Sequence, residues 1–220
     1  MKILVINSGS SSIKYQLIEM PNQAVIASGL IERIGSKEAK ITYQKGDLKT
    51  HKILEIPDHE KGLTQMNSFL MDKENGVITD HDDIEIVGHR VVHGGRSFSK
   101  TVVVTSQVKE NIKNLSALAP LHNPHNLKGI EVAEKVFSKA QQVAVFDTAF
   151  FQSMPQKAYQ YAIPQHLLEE QDIRAYGFHG TSHKYVSEKA KTFLEAENHS
   201  ASKLITIHLG NGCSITAIKD

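Results

Sequence analysis

Lys2-Ile3-Leu4-Val5-Ile6-Asn7-Ser8-Gly9 and, 201 positions later, Lys203-Leu204-Ile205-Thr206-Ile207-His208-Leu209-Gly210 decide how this chain is built. Each is a short run rich in β-formers that enters a small-residue turn, and each turn leads to another strand, Ile13 to Ile18 in the first case. A strand–turn–strand opening used twice points to two related domains, each beginning with a turn of phosphate size. The first unit needs about 150 residues to complete its sheet and helices. The second reaches Asp220 after little more than one hairpin, which alone is marginal in water and leaves an open strand edge. The expectation is the N-terminal portion of a longer protein, with domains at 1–150 and 151–220.

Outward from the first turn, Ala24 to Ile31 reads as a third strand. Lys40 to Gln44 and His51 to Ile56 read as a hairpin about Gly46-Asp47. Leu63, Met66, Phe69 and Leu70 mark one face of a helix capped by Asp58. Ile84 to Val87 predicts a strand ending at Gly88-His89-Arg90. Val108, Ile112, Leu115 and Ala119 mark a second helix. Asn123 reads as the N-cap of a third, with Pro124 at its first position and Ile130, Ala133, Phe137 and Ala140 facing inward. Val143-Ala144-Val145-Phe146 is unbroken apolar sequence, the pattern of a strand buried on both faces. A last helix spans Ser182 to Ala196, its buried stripe being Val186, Ala190, Phe193 and Leu194. This order predicts an α/β fold with a mixed central sheet flanked by helices.

The 220 residues carry 25 Lys and Arg against 24 Asp and Glu, a formal charge of +1, which argues against a nucleic-acid binder. No run is long and apolar enough to span a bilayer, and Met1 to Ser12 lacks the apolar core of a signal peptide. Cys213, the single cysteine, excludes internal disulfides and a cysteine-based zinc cage, and reads as a small apolar filler. The expected setting is a reducing cytoplasm.

Asn7 to Lys14 can wrap an oxyanion with backbone N–H groups and the hydroxyls of Ser10 and Ser12, and Lys14 can neutralise a phosphate. It is not a P-loop, since the GxxxxGK[ST] pattern is missing and the turn feeds a strand; a plain serine-rich hairpin is the alternative. Gly210-Asn211-Gly212 forms a similar turn, and two such turns on one cleft would suit a nucleoside triphosphate. Arg90 falls at the C-terminal end of a strand, where α/β sheets place ligands, and reads as a bidentate carboxylate or phosphate grip or as a surface ion pair. Asp147 ends a buried strand and needs a cation, metal or donor unless it merely caps a turn. His122 with His125, and His179 with His183, read either as metal ligands or as hydrogen-bonded structural residues.

Six segments together carry a resemblance. Asn7 to Lys14, Gly88 to Gly95, Leu121 to Pro124, Phe146 to Phe150, Gly177 to His183 and His208 to Gly212 stand in the order and spacing of the acetate kinase family. The resemblance spans the whole chain but only about the first half of a family member. It implies the duplicated ribonuclease H-like fold shared by acetate and sugar kinases, actin and the Hsp70 ATPase. It implies reversible phosphoryl transfer from ATP to acetate, giving acetyl phosphate and ADP, with Mg²⁺ or Mn²⁺ as cofactor. By position, Asn7 is implied in the metal site, and Lys14, Ser10 and Ser12 in ATP binding along with His208, Leu209, Gly210, Asn211 and Gly212. Arg90 is implied as the acetate ligand, with Val92, Leu121 and Phe178 around the methyl group, and Asp147, His179 and His122 as catalytic groups. The resemblance further implies a homodimer formed through a C-terminal part, neither nucleic acid nor membrane as partner, and negligible activity of these residues by themselves.

Overall fold

The computed structural model describes residues 1–200, 202–210 and 212–219. It divides into two compact units: Met1–His93 with Thr101–Val145, and Gly94–Lys100 with Phe146–Asp220.

The first unit starts with five strands in chain order: β1 (Lys2–Ser8), β2 (Ser12–Glu19), β3 (Ala24–Glu32), β4 (Ser36–Lys45) and β5 (Leu48–Ile56). Neighbours in this meander pair antiparallel. Helix α1 (His59–Leu70) follows, its first turn capped by Asp58, whose carboxylate accepts from Lys61 N at 2.8 Å. Strand β6 (Ile84–Val91) then lies parallel to β1. Short β7 (Val102–Val103), helix α2 (Ser106–Asn114), helix α3 (Asn123–Val136) and β8 (Gln141–Phe146) complete an eight-stranded sheet ordered β5-β4-β3-β2-β1-β6-β8-β7. Alternation builds the core. Leu4, Ile6, Ile13, Tyr15 and Leu17 point inward from β1 and β2 and cluster with Leu63, Met66 and Leu70 of α1 and with Val132 and Ala133 of α3. Each such aliphatic side chain contributes about 1.5–3 kcal/mol on burial.

Four expectations are corrected here. Strand β6 does not stop at Arg90 but pairs on through Val91, so His89 and Arg90 fall on opposite faces. His89 is buried and donates from Nε2 to Gln142 Oε1 at 2.8 Å. Strand β8 alternates between buried and half-buried positions instead of being covered on both faces. The second helix breaks at Asn114 into a 3₁₀ turn over Leu115–Ala117. Asn123 is not a cap: His122 takes the cap position, and Asn123 sits fully buried in the first turn of α3.

The second unit holds two short helices, α4 (Gln156–Tyr159) and α5 (Gln165–Gln171), then α6 (Gly180–Ala196) and the antiparallel hairpin β9 (Lys203–Leu209) and β10 (Cys213–Lys219). Arg96 ties the excursion 94–100 into this unit through a 2.6 Å ion pair with Asp172. Phe98 stacks on Phe146 at 4.2 Å. The stripe expected on α6 is wrong: Val186 and Phe193 are exposed, while Gly180, His183 and Ser187 are buried. Polar partners on β9 and β10 hold that face, so apolar periodicity misreads it. Cys213 is exposed and fills no core. Among the described residues no helix is long and apolar enough to cross a membrane.

The 201-residue offset holds strand for strand. Lys2–Ser8 maps onto Lys203–Leu209, and Ser12 onto Cys213 at the start of the return strand. Gly9 N donates to Ser12 O at 2.8 Å, and Gly210 N donates to Gly212 O at 2.9 Å.

Candidate functional site

In the first unit the groups of interest surround the β1–β2 turn. Asn7, half-buried, lies opposite exposed Lys14 in the antiparallel register. Ser10 is exposed and Ser12 half-buried. Two side chains, His59 and Asn126, fix the backbone beneath them. His59 Nε2–H donates to Gly9 O at 2.6 Å, Asn126 Nδ2–H donates to Ser8 O at 2.7 Å, and Val92 N donates to Asn126 Oδ1 at 3.0 Å. Asn126 therefore joins the turn to the end of β6 through one buried carboxamide. One helical turn earlier Asn123 clasps a single residue: its Oδ1 accepts from His93 N at 3.1 Å, and its Nδ2 donates to His93 O at 3.0 Å. Helix α3 reaches the turn only because residue 129 is glycine, since a Cβ there would stand 2.7 Å from Ser8 Cβ. The Ser8 hydroxyl is buried without a hydrogen-bond partner among the described residues.

Arg90, near the end of β6, and Val92, just past it, are half-buried. His122 is exposed, and Leu121 is 72% exposed. His125 does not join His122 around a metal; its ring stacks on that of His59, centroids 5.4 Å apart. Burial, then the neighbouring His59 and His122, hold its pKa below the ordinary histidine value.

In the second unit Asp147 is 1% exposed, and its Oδ1 accepts from Thr181 Oγ1–H at 3.2 Å. Its carbonyl accepts from Gly180 N at 3.0 Å, and a Cβ on Gly180 would collide with that oxygen. His179 caps α6 with φ 57° and ψ 25°, the left-handed region that non-glycine residues enter at a cost. Its ring stacks on His208 with centroids 4.2 Å apart, and its Nδ1 lies 2.9 Å from Ser214 Oγ. His183, buried, engages hydroxyls at both ring nitrogens: Nδ1 with Thr206 Oγ1 at 2.7 Å and Nε2 with Ser214 Oγ at 2.8 Å. That occupancy sets aside the metal reading of His179 with His183. His208 Nδ1 pairs with Ser182 Oγ at 3.0 Å. Burial, then His208 and His179, lower the pKa of His183, so its ring is neutral at pH 7. Phe178 is 42% exposed, and Leu209, Gly210 and Gly212 are exposed. Asn211 lies outside the described residues.

Among the described residues no three His, Cys, Asp or Glu side chains group so as to hold a metal ion. The oxygen donors Asn7 and Asp147 are nonetheless the hard type that Mg²⁺ takes, one or two at a time, beside water and phosphate.

Sequence reading missed Asn123, Asn126, His59, Thr181, Ser182, Thr206 and Ser214 as builders of these sites. A signal existed for two of them: Asn123 and Asn126 share one face of a helix whose other inward positions are apolar or glycine. Single hydroxyls on strands carry no such pattern.

The family model described as the acetokinase family matches residues 2–220. An acetate kinase of Flavobacterium johnsoniae is 59% identical over 220 residues, which are 100% of this chain and 55% of that protein. An acetate kinase of Thermotoga maritima is 51% identical over 219 residues, covering 100% of this chain and 54% of that protein. Among solved structures, acetate kinase from Porphyromonas gingivalis superposes with TM-score 0.90 at 43% identity, covering 99% of this chain and 55% of that one. A propionate kinase from Francisella tularensis gives TM-score 0.91 at 43% identity, covering 100% and 55%. The chain spans about half the length of the curated relatives it matches.

Proposed function

We propose, because this chain belongs to the acetokinase family, that its residues serve reversible phosphoryl transfer from ATP to acetate by direct in-line displacement, giving acetyl phosphate and ADP. The observation that carries the reading is the repeated hairpin, in which Gly9 and Gly210 follow strands at the same 201-residue offset and each donates its N–H within its own turn, Gly9 to Ser12 O and Gly210 to Gly212 O. A small-residue hairpin turn that carries hydroxyls suits phosphate oxygens, and a duplicated one suits a polyphosphate.

In this reading Lys14, Ser10 and Ser12 serve ATP from the first hairpin, and His208 to Gly212 from the second. Arg90 takes the acetate carboxylate, and Val92, Leu121 and Phe178 its methyl group. Acetate is already ionised at pH 7, so no base has to deprotonate it. The barrier lies in charge repulsion and alignment, which cations and donors reduce. Arg90 screens the nucleophile, and His179 donates to phosphoryl oxygens, as His122 does in a lesser role. Mg²⁺, when bound, supplies neutralisation of phosphate charge, and Asn7 is the residue assigned to hold it. Asp147, buried and held by Thr181, acts as an organiser of metal-bound water or of Arg90, not as a proton acceptor. Homodimerisation of the full protein belongs to the same reading, and light scattering tests it.

The test uses the full reading frame that contains these residues, with ADP release followed in the presence of acetate, propionate or neither. Release that depends on acetate, with kcat/KM for acetate reduced about 30-fold in Arg90→Ala for the loss of about 2 kcal/mol of charged hydrogen bonding, supports the reading. ATP hydrolysis indifferent to carboxylate would contradict it. For Asp147→Asn, lost turnover with an unchanged Mg²⁺ requirement would refute the organiser role. The similarity to a propionate kinase makes the propionate arm informative, since one methylene is worth only about 1–3 kcal/mol.

A further inference from the structure

His179 is held on two sides within its own unit. His208 covers one face of its ring, and Ser214 Oγ stands at Nδ1. The Ser214 hydroxyl also meets His183 Nε2, and His183 Nδ1 meets Thr206 Oγ1. The chain His179–Ser214–His183–Thr206 contains two imidazoles joined by one hydroxyl, which has a single proton to give.

We propose that Ser214 is a positioning residue that, through its contact with Nδ1, biases which ring nitrogen of His179 carries its proton. A neutral His183 has one N–H and one lone pair, facing two hydroxyls. When Nε2 of His183 bears the proton, it donates to Ser214 Oγ, and Thr206 donates to Nδ1. Ser214 then directs its own proton to His179 Nδ1, so the neutral His179 ring is protonated at Nε2. When Nδ1 of His183 bears the proton instead, it donates to Thr206, Ser214 donates back to His183 Nε2, and Ser214 Oγ must accept from Nδ1 of His179. The neutral ring then has a bare Nε2 and cannot donate there. The inference rests on the reading of His179 as a donor to the transferring phosphoryl group, which needs the first arrangement. His183 acts through Ser214 and Thr206 acts through His183, so neither has to touch substrate. Burial of His183 and Thr206 keeps water from replacing the relay.

The experiment is ¹⁵N spectroscopy of imidazole-labelled full-length protein at neutral pH, alongside steady-state kinetics. Wild-type His179 shows the pattern of a proton on Nε2. Ser214→Ala mixes the two tautomers and lowers kcat about tenfold, with KM for acetate and for ATP within about twofold, because one aimed donor is partly lost. Ser214→Thr, which keeps a hydroxyl on a strand, restores both readouts. Thr206→Val leaves Ser214 in place and shifts the His179 population in the same direction. A wild-type proton on Nδ1, or an unchanged ¹⁵N pattern in either Ser214→Ala or Thr206→Val, overturns the proposal even if acetate is phosphorylated. Tautomer shifts as described in a protein that ignores acetate would uphold the relay and defeat only the kinase reading.

Discussion

At the scale of single residues, Asn126 links two backbone segments with one side chain. One buried carboxamide serves Ser8 O in a buried setting and Val92 N in a half-buried one. Asn126→Ala should therefore destabilise the fold by about 2–4 kcal/mol, the combined cost of unpairing one buried and one half-buried group. Urea unfolding checks this: the midpoint falls while the slope stays constant. A change within experimental error would mean the turn holds its shape without α3. His122, exposed at the start of the same helix, is the internal control, and His122→Ala should leave the midpoint in place.

At the scale of elements, the meander of the first unit was legible because alternating residues carry the message. Ile13, Tyr15 and Leu17 face inward from β2 while Lys14 and Gln16 face out, as the period of two requires. Helix α6 was misread for the opposite reason. Its buried face is His183 and Ser187, satisfied by hydroxyl and backbone partners, so apolar spacing selected Val186 and Phe193, which are exposed. The Asn123 cap failed by one residue, since a buried asparagine clasping the backbone of His93 looks in sequence like one that starts a helix. The β9–β10 hairpin shows one face against α6 and another that is bare, with Ile205, Ile207, Leu209 and Ile215 all exposed. The counterparts of Ile205 and Ile207 in the first hairpin, Leu4 and Ile6, are buried core. An apolar patch of this kind drives association. The 220-residue chain should self-associate with rising concentration and bind a hydrophobic dye. Replacing the opposed pair by Ile207→Lys with Ile215→Glu should reduce both, as read by sedimentation velocity and fluorescence.

At the scale of the whole molecule, each unit buries a histidine that stays neutral. Burial is the main cause for His89, whose pKa falls from the ordinary 6.5 to about 4 despite its bond to Gln142. The unfolded chain binds a proton there between pH 6.5 and 4 that the folded chain refuses, so stability falls as pH drops through that window. It is fully present above 6.5, and the displacement corresponds to about 3 kcal/mol. His183 in the other unit acts in the same direction. Unfolding free energy measured from pH 7.5 down to 4 should decline, and His89→Gln should flatten the slope; a slope unchanged by that substitution contradicts the assignment. The duplicated plan was legible from two eight-residue stretches because the offset between them is kept strand by strand. The polar supports were not, since a hydroxyl such as Ser214 acquires meaning only from partners 31 and 35 positions away.

The left-handed backbone of His179 sets the tolerance of that position to replacement. On the proposed reading two demands meet there, an imidazole and a chain direction that β-branched residues resist. In a survey of all nineteen substitutions, Val, Ile and Thr should reduce soluble yield as well as turnover, whereas Asn and Gly should abolish turnover from a protein that still accumulates normally. Asparagine is thus the substitution that isolates the chemistry of the ring, and a phenotype from valine says as much about the route of the main chain as about catalysis.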